Sequence, residues 1–343
     1  MKRIKIGKFW IGDGAPCFIT VDIGANHNRD YNIAKKLIRK ASEAGVDAIK
    51  FQFYSAETLY SRKVPKHSYY KKHLWDLIKE IETPQGWIPG LKQYCDKNKI
   101  IFFATPFDFS AVDALDPYVD FYKIASFELV DLSLIEYTAK KKKAMIISTG
   151  LANTQEIEEA YSACKRVGNN KIIFLQCASS YPASPEIINL RAMKTIKDRF
   201  PDTIVGLSDH SRGIHISVAA VAMGARVIEK HFTLSRKLKG PDHSFAIEPD
   251  ELKELVVQIR DVEKAFGDGR KTGPRPQELE NFRIARRSIH AEIDIPKETK
   301  ITRNMLTIKR PGYGIRPKFL HAIIGRKAKR NIEKDQWITW KMI

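Results

Sequence analysis

The stretch TIVGLSDHSRGIHISVAAVAMGARVIEKHFTL, residues 203–234, reads as strand, polar turn, helix and strand. Ile204 to Leu207 is a short β-prone apolar run, Ser208-Asp209-His210 breaks it, Gly213 to Gly224 is an Ala-rich apolar helix, and Arg226 to His231 is a second strand. Both strands finish in a histidine. A parallel βαβ unit sets the carboxyl ends of its strands side by side, so His210 and His231 can converge on one point despite their separation in sequence. Two neutral imidazoles at such a point suit a divalent transition metal. A lone histidine would more often cap its strand or satisfy a buried polar group; here there are two in register, each within two residues of a carboxylate, Asp209 and Glu229.

The same alternation extends outward on the N-terminal side. Strand patterns lie at Cys17–Ile23, Val46–Phe53, Ile100–Thr105, Phe121–Ala125, Ala144–Ser148, Ile172–Cys177, Thr203–Leu207 and Arg226–His231. Helical patterns separate them at Tyr31–Ala44, Pro84–Asn98, Ser110–Asp116, Leu132–Lys141, Thr154–Val167, Leu190–Arg199 and Gly213–Gly224, and Pro249–Phe266 follows the last strand. Eight strands, each followed by a helix, spell a (β/α)8 TIM barrel within the α/β class. An open doubly wound sheet is the rival, but no GxGxxG follows the first strand. Residues 1–16 carry two β-prone pieces around the IGDG turn signal, which predicts a hairpin ahead of the barrel. The barrel is thus expected over residues 1–266. Residues 267–284, rich in Gly, Pro and charge, read as a linker, and 285–343 as a small β-type domain without a long helix. A domain that small is marginal alone and is expected to lean on a partner surface.

Composition narrows the function. The 343 residues are 43% hydrophobic, and no apolar run approaches the length needed to span a bilayer, so no membrane partner is expected. Cys17, Cys95, Cys164 and Cys177 show no framework spacing, and the N-terminus has no apolar signal core. Reduced thiols in a cytoplasmic protein follow as the expectation. The formal charge of +19 is spread along the chain without a zinc-finger or RNP-type motif. An anionic small-molecule substrate explains it more simply than nucleic acid does.

In a barrel the chemistry sits at the carboxyl ends of the strands, and all eight ends here are polar. Lys50 and Lys123 lie within apolar strands, where a lysine is unfavourable unless it meets an anion or snorkels its stem to the surface. With the hydroxyls of Thr105, Ser126, Ser148 and Ser208 they would make a phosphate site of two charges and several neutral donors. His210 and His231 would hold the metal, and Glu128 with Asp22 would handle protons or sugar hydroxyls. A phosphate beside a Lewis acid and carboxylates suggests a phosphorylated small molecule meeting a carbonyl compound. Spacing alone names neither.

The motifs IGANHN (23–28), DAIKFQ (47–52), FATPFD (103–108), YKIASFE (122–128), ISTG (147–150), SSYPA (179–183), GLSDH (206–210), VIEKHFTL (227–234), GPDH (240–243) and KRPGYGI (309–315) resemble the sialic acid synthase family across nearly the whole chain. The resemblance implies condensation of phosphoenolpyruvate with N-acetylmannosamine or a related N-acetylated hexose, with release of phosphate. It also implies a C-terminal antifreeze-like (SAF) domain and a domain-swapped homodimer. Carried over by position, His210 and His231 would bind Mn2+ or Mg2+, and Lys50, Lys123, Thr105, Ser126, Ser148 and Ser208 would hold phosphoenolpyruvate. Glu128, Tyr181 and Asp242 would contact the sugar, and Arg310 its N-acetyl group from the partner's SAF domain. One departure stands out: where the family writes AEIG, this chain has Val21-Asp22-Ile23-Gly24. The carboxylate retreats by about 1.5 Å, one methylene, which marks either an altered acceptor or a lost activity; the alternatives are therefore an N,N'-diacetyllegionaminate or pseudaminate synthase within the family, or a barrel that binds sugar or phosphate without turnover.

Overall fold

The computed structural model describes residues 2–65 and 72–343. Their contacts fall into two compact units, Met1–Gly267 and Asp268–Ile343. In the first, eight parallel strands close into a barrel: β1 (Phe18–Asp22), β2 (Ala48–Phe53), β3 (Ile101–Pro106), β4 (Phe121–Ile124), β5 (Ala144–Ser148), β6 (Ile172–Cys177), β7 (Ile204–Asp209) and β8 (Val227–His231), which pairs back onto β1. The strands are buried on both faces, as a barrel ringed by helices requires.

Alternation along each strand divides the core in two. Ile19, Val21, Ile49, Phe51, Phe102, Tyr122, Ile147, Phe174, Leu207 and Ile228 point outward and pack under the helices. Phe18, Ala48, Phe103, Phe121, Ile146, Ile173, Leu175, Ile204 and Val227 point inward and fill the amino-terminal half of the barrel. Further along the inner face come Asp22, Lys50, Lys123, Ser148, Ser208 and Glu229. One end of the barrel is therefore dry, and the other is charged.

The dry end is closed by an antiparallel hairpin, Arg3–Ile6 and Phe9–Gly12, whose Ile4, Ile6 and Ile11 join the inner cluster. Its turn is not at IGDG, as expected from turn propensity, but at Gly7-Lys8, with Gly7 at φ +54°. The reason is register: only that turn sends all three isoleucines to the barrel face. IGDG instead ends the second strand and leads into the barrel.

The helix Tyr31–Ala44 begins and ends where its pattern does, with Asp30 accepting from the Asn32 and Ile33 N–H groups and Gly45 closing it in the left-handed region. Between β2 and β3 the chain makes an excursion that the sequence reading left unassigned, with short helices Ala56–Leu59 and Leu74–Ile81. In the second unit, strands Ser288–Ala291 and Leu306–Lys309 pair antiparallel around a core of Ile289, Ile295, Ile301, Leu306, Ile315, Ile323, Ile332 and Ile338. The stretch read as a linker carries a short helix, Leu279–Ile284, whose Leu279 and Ile284 are exposed. With these two in solvent and Phe282 only half-buried, it has no buried face to print a periodicity.

Ile11 is fully buried in the floor. Ile11→Ala is expected to lower unfolding free energy by about 2–4 kcal/mol, measured by urea melts, while KM for every substrate stays unchanged because the floor is at the far end of the barrel from the charged rim.

Candidate active site

The register of the strands decides which charged groups meet. Asp22 lies opposite Lys50 on β2 and opposite His231 on β8, and Glu229 lies opposite Ser208 on β7. Lys50 Nζ accordingly sits 2.9 Å from Asp22 Oδ2 and 2.8 Å from Glu229 Oε1. Lys123 Nζ donates to Ser148 Oγ at 2.7 Å and stands 3.6 Å from Glu229 Oε1, and Ser208 Oγ donates to that same oxygen at 3.1 Å. Gln52 Nε2 donates to Asp22 Oδ2 at 2.9 Å. All four charges are buried. They neutralise one another before any substrate arrives, so the sequence-based picture of two lysines awaiting an anion is incomplete: Lys50 is held by two carboxylates.

The charges hold different protonation states. Burial would raise Asp22, but Lys50 chiefly, with His231 and the Gly24 N–H, holds its carboxyl well below the usual range. Asp22 is therefore a fixed anion rather than a proton carrier at neutral pH. Burial likewise opposes the charge of Glu229, and Lys123 and Lys50 override it. Lys123 is pushed down to about 8 by burial, against the pull of Glu229. Glu128, on the turn after β4, is pushed up to about 7 by burial, with Lys123 opposing. It is the one of the two predicted proton carriers whose state can change near neutrality.

His210 and His231 do come together, ring centroids 5.3 Å apart. His210 Nδ1 lies 2.8 Å from the Ala178 carbonyl, which fixes the proton there and leaves the Nε2 lone pair bare. His231 Nε2 is 3.5 Å from Asp22 Oδ2, and among the described residues its buried Nδ1 has no partner. Two imidazoles, one of fixed tautomer and one with a buried nitrogen still unsatisfied, fit a divalent cation. Among the described residues no group of three or more His, Cys, Asp and Glu has metal-binding geometry, so such a cation would take its remaining ligands from substrate and water. Of the two neighbouring carboxylates noted in the sequence, only Glu229 shares the site; Asp209 points to the outer face of the barrel.

A cavity of about 200 Å³ opens above this floor. Asp22, Lys50, Lys123, Ser126, Ser148, Tyr181, Ser208, His210, His231 and Asp242 all line it. Tyr181 packs on His210 at 4.3 Å and on Phe245 at 5.3 Å between centroids. Asp242 accepts from the Ala25 N–H at 3.1 Å, and Gly24, at φ +46°, leaves it room: a Cβ there would collide with the carboxylate. Gly150 is needed for the same reason beside Ser126 and Ser179, and its N–H donates to Ser126 Oγ at 3.0 Å. Thr105 Oγ1, Ser179 Oγ and one oxygen each of Glu128 and Glu229 are buried without a partner among the described residues. Arg310 lies in the second unit, exposed, next to Pro311.

From the sequence Gln52 stands out only as a polar strand end beside Lys50, and no role falls to Cys177, Tyr54, Phe245 or an outer wall of Leu59, Tyr60, Leu74, Leu77, Ile78 and Phe107. Gln52 and Cys177 had a signal, since each is two residues along the inner face from an inward group. The outer wall had a partial one, since Leu74, Leu77 and Ile78 stand at the i, i+3, i+4 spacing of one helix face.

The NeuB family model matches residues 37–271, and the SAF domain model residues 286–343. The chain is 41% identical over 93% of its length to the N,N'-diacetyllegionaminic acid synthase of Campylobacter jejuni, covering 98% of that protein. It is 37% identical over 97% of its length to the human N-acetylneuraminate-9-phosphate synthase, covering 94% of it. Among solved structures, the N-acetylneuraminic acid synthetase of Leptospira borgpetersenii superposes with a TM-score of 0.74 at 37% identity, over 82% of this chain and 95% of that one. The chain belongs to the NeuB family, with a C-terminal SAF domain, and is a phosphoenolpyruvate-dependent nonulosonic acid synthase family enzyme.

Because Glu128 is raised from 4.5 to about 7, its protonated form favours the fold. That contribution is complete below the unfolded value and is lost as pH rises through about 7. Glu128→Gln is expected to be of order 1–3 kcal/mol more stable relative to wild type at pH 8 than at pH 4, read from urea melts; a difference flat across that range contradicts the assignment.

Proposed function

We propose that this enzyme condenses phosphoenolpyruvate with an unphosphorylated, N-acetylated hexose and releases inorganic phosphate. The observation that carries the reading is the polarity of the cavity: a charged, hydroxyl-rich floor beneath an apolar mouth. The floor suits the phosphate and carboxylate of phosphoenolpyruvate, received by Lys123, Ser126, Ser148 and Ser208 with Thr105 behind them. Lys50 would turn from its two carboxylates toward the same anion. His210 and His231 would hold the divalent cation, Mn2+ or Mg2+, which when bound supplies a Lewis acid for the sugar aldehyde.

The remaining work falls to residues of the chain. Asp22, a fixed anion, keeps His231 oriented and accepts a hydrogen bond from a sugar hydroxyl. Tyr181 and Phe245 form an aromatic face for the acceptor beside the imidazoles, and Asp242 offers a second acceptor for hydroxyls. The C3 carbon of phosphoenolpyruvate forms the new bond to the aldehyde carbon, water adds at C2, and phosphate leaves with C–O cleavage. Glu128, with a proton affinity near neutrality, takes or returns the proton that this exchange moves. The domain-swapped homodimer belongs to the same reading, with Arg310 of one copy serving the N-acetyl group bound by the other.

A specific observation favours one acceptor class. Leu59, Leu74, Leu77, Ile78, Phe107 and Phe127 border the mouth, and among the described lining residues the cations are the two floor lysines. Such a wall matches a diacetamido-trideoxy hexose, with its methyl groups, better than a sugar 6-phosphate. The test is phosphate release with Mn2+ across N-acetylmannosamine, its 6-phosphate, mannose and the diacetamido-trideoxy hexoses. Release that requires a free acetamido sugar, is strongest with a trideoxy one, and falls at least a hundredfold in the His210→Ala/His231→Ala variant is expected. Turnover intact in that variant sinks the cation reading, preference for the 6-phosphate sinks the acceptor class, and no release with any sugar favours the binding-only barrel.

A further inference from the structure

One buried ion pair takes no part in the chemistry above. Asp209 and Lys230 each immediately precede a histidine of the pair and lie opposite each other on β7 and β8. Strand alternation turns both to the outer face, away from the cavity, and each is about 2% exposed or less. Lys230 Nζ lies 3.0 Å from Asp209 Oδ2 and donates to the Ser211 carbonyl at 2.7 Å. Ser217 Oγ, from the helix His215–Ala222, donates to the same Oδ2 at 2.6 Å. Asp209 Oδ1 accepts from both the N–H and the hydroxyl of Ser211, at 2.8 and 2.6 Å. The bonds to Ser211 and from Lys230 tie the residues on either side of His210 to each other and to the strand that ends in His231, and the Ser217 bond ties Asp209 to the helix.

An ion pair is a poor way to stabilise this spot, since two well-packed apolar side chains between sheet and helix would serve at least as well. What charge adds is direction. The network holds residues 209 and 211 to residue 230, so the backbone of His210 is fixed by its predecessor reaching over to its successor. We propose that Asp209 and Lys230 are positioning residues that set the separation and facing of the His210 and His231 imidazoles for the divalent cation. Ser217 extends that control to the helix behind. The inference rests on the reading of the two histidines as a cation site.

The test measures Mn2+ affinity of the full-length protein by calorimetry and by the electron paramagnetic resonance signal of the bound ion. Wild type and the His210→Ala/His231→Ala variant come first: equal affinity in the two overturns the cation site itself, whatever the pair does. Given that site, the neutral pair Asp209→Asn/Lys230→Met is expected to weaken Mn2+ binding 10- to 100-fold. It should also broaden the resonance of the residual bound ion, with phosphoenolpyruvate affinity measured without metal unchanged. Ser217→Ala, which leaves both charges paired, keeps the question answerable if the double variant does not fold; a rise in Kd of about threefold is expected. Mn2+ affinity within twofold of wild type in whichever of these variants folds overturns the proposal. So does an equal loss of phosphoenolpyruvate affinity, which would mean that the pair merely holds the barrel together.

Discussion

The site is organised by the Lys50 ammonium, which sits between Asp22 and Glu229 at hydrogen-bonding distance from both. A lysine on the inner face of a barrel must be compensated, and here the partners are carboxylates that other strands turn to the same interior. Asp22 comes from β1 and Glu229 from β8, so the three residues join consecutive strands around the barrel. Lys123 and Ser148 continue the contact to β4 and β5, and Ser208 to β7. Removing any one partner would leave an unpaired buried charge, which explains how a strand rim made of charged residues can be as well ordered as the apolar floor beneath it.

The same ring gives the site its reactivity. Four charges that cancel in the resting state can exchange partners when an anion enters, so phosphate binding need not begin from two unpaired lysines. Lys123 is the looser of the two, since its distance to Glu229 is longer and burial lowers its proton affinity. Asp22 matters here as well. Its short side chain still reaches Lys50, Gln52 and the Gly24 N–H, and lies 3.5 Å from His231. The aspartate carboxylate is thus fully engaged in the charged ring.

Much of this was legible from residues alone, for identifiable reasons. The eight strands and the helix Tyr31–Ala44 announce themselves because alternation and helical period follow burial, and the polar strand ends follow from the architecture. The hairpin turn was misplaced because IGDG has the stronger local turn chemistry, whereas the register is decided by where Ile4, Ile6 and Ile11 are buried. Alternation tells which face a side chain takes but not its partner, so Lys50 and Glu229 could be placed inside the barrel without being seen as a pair. It also separates Asp209 from Glu229: neighbouring carboxylates of the two histidines, yet on opposite faces. The apolar mouth was not legible for another reason: Leu74, Leu77 and Ile78 have the spacing of one helix face, but that spacing does not tell whether the face meets a core or a cavity, and Leu59 lies in a helix of four residues, too short to show a period.

The most direct test is a crystal structure with Mn2+ and phosphoenolpyruvate bound, collected at the manganese edge. The account predicts one anomalous peak between His210 and His231, phosphate density against Lys123, Ser148 and Ser208, and Lys50 shifted off at least one of its two carboxylates. A peak elsewhere, or a phosphate outside the charged floor with the Lys50 pairing untouched, would contradict it.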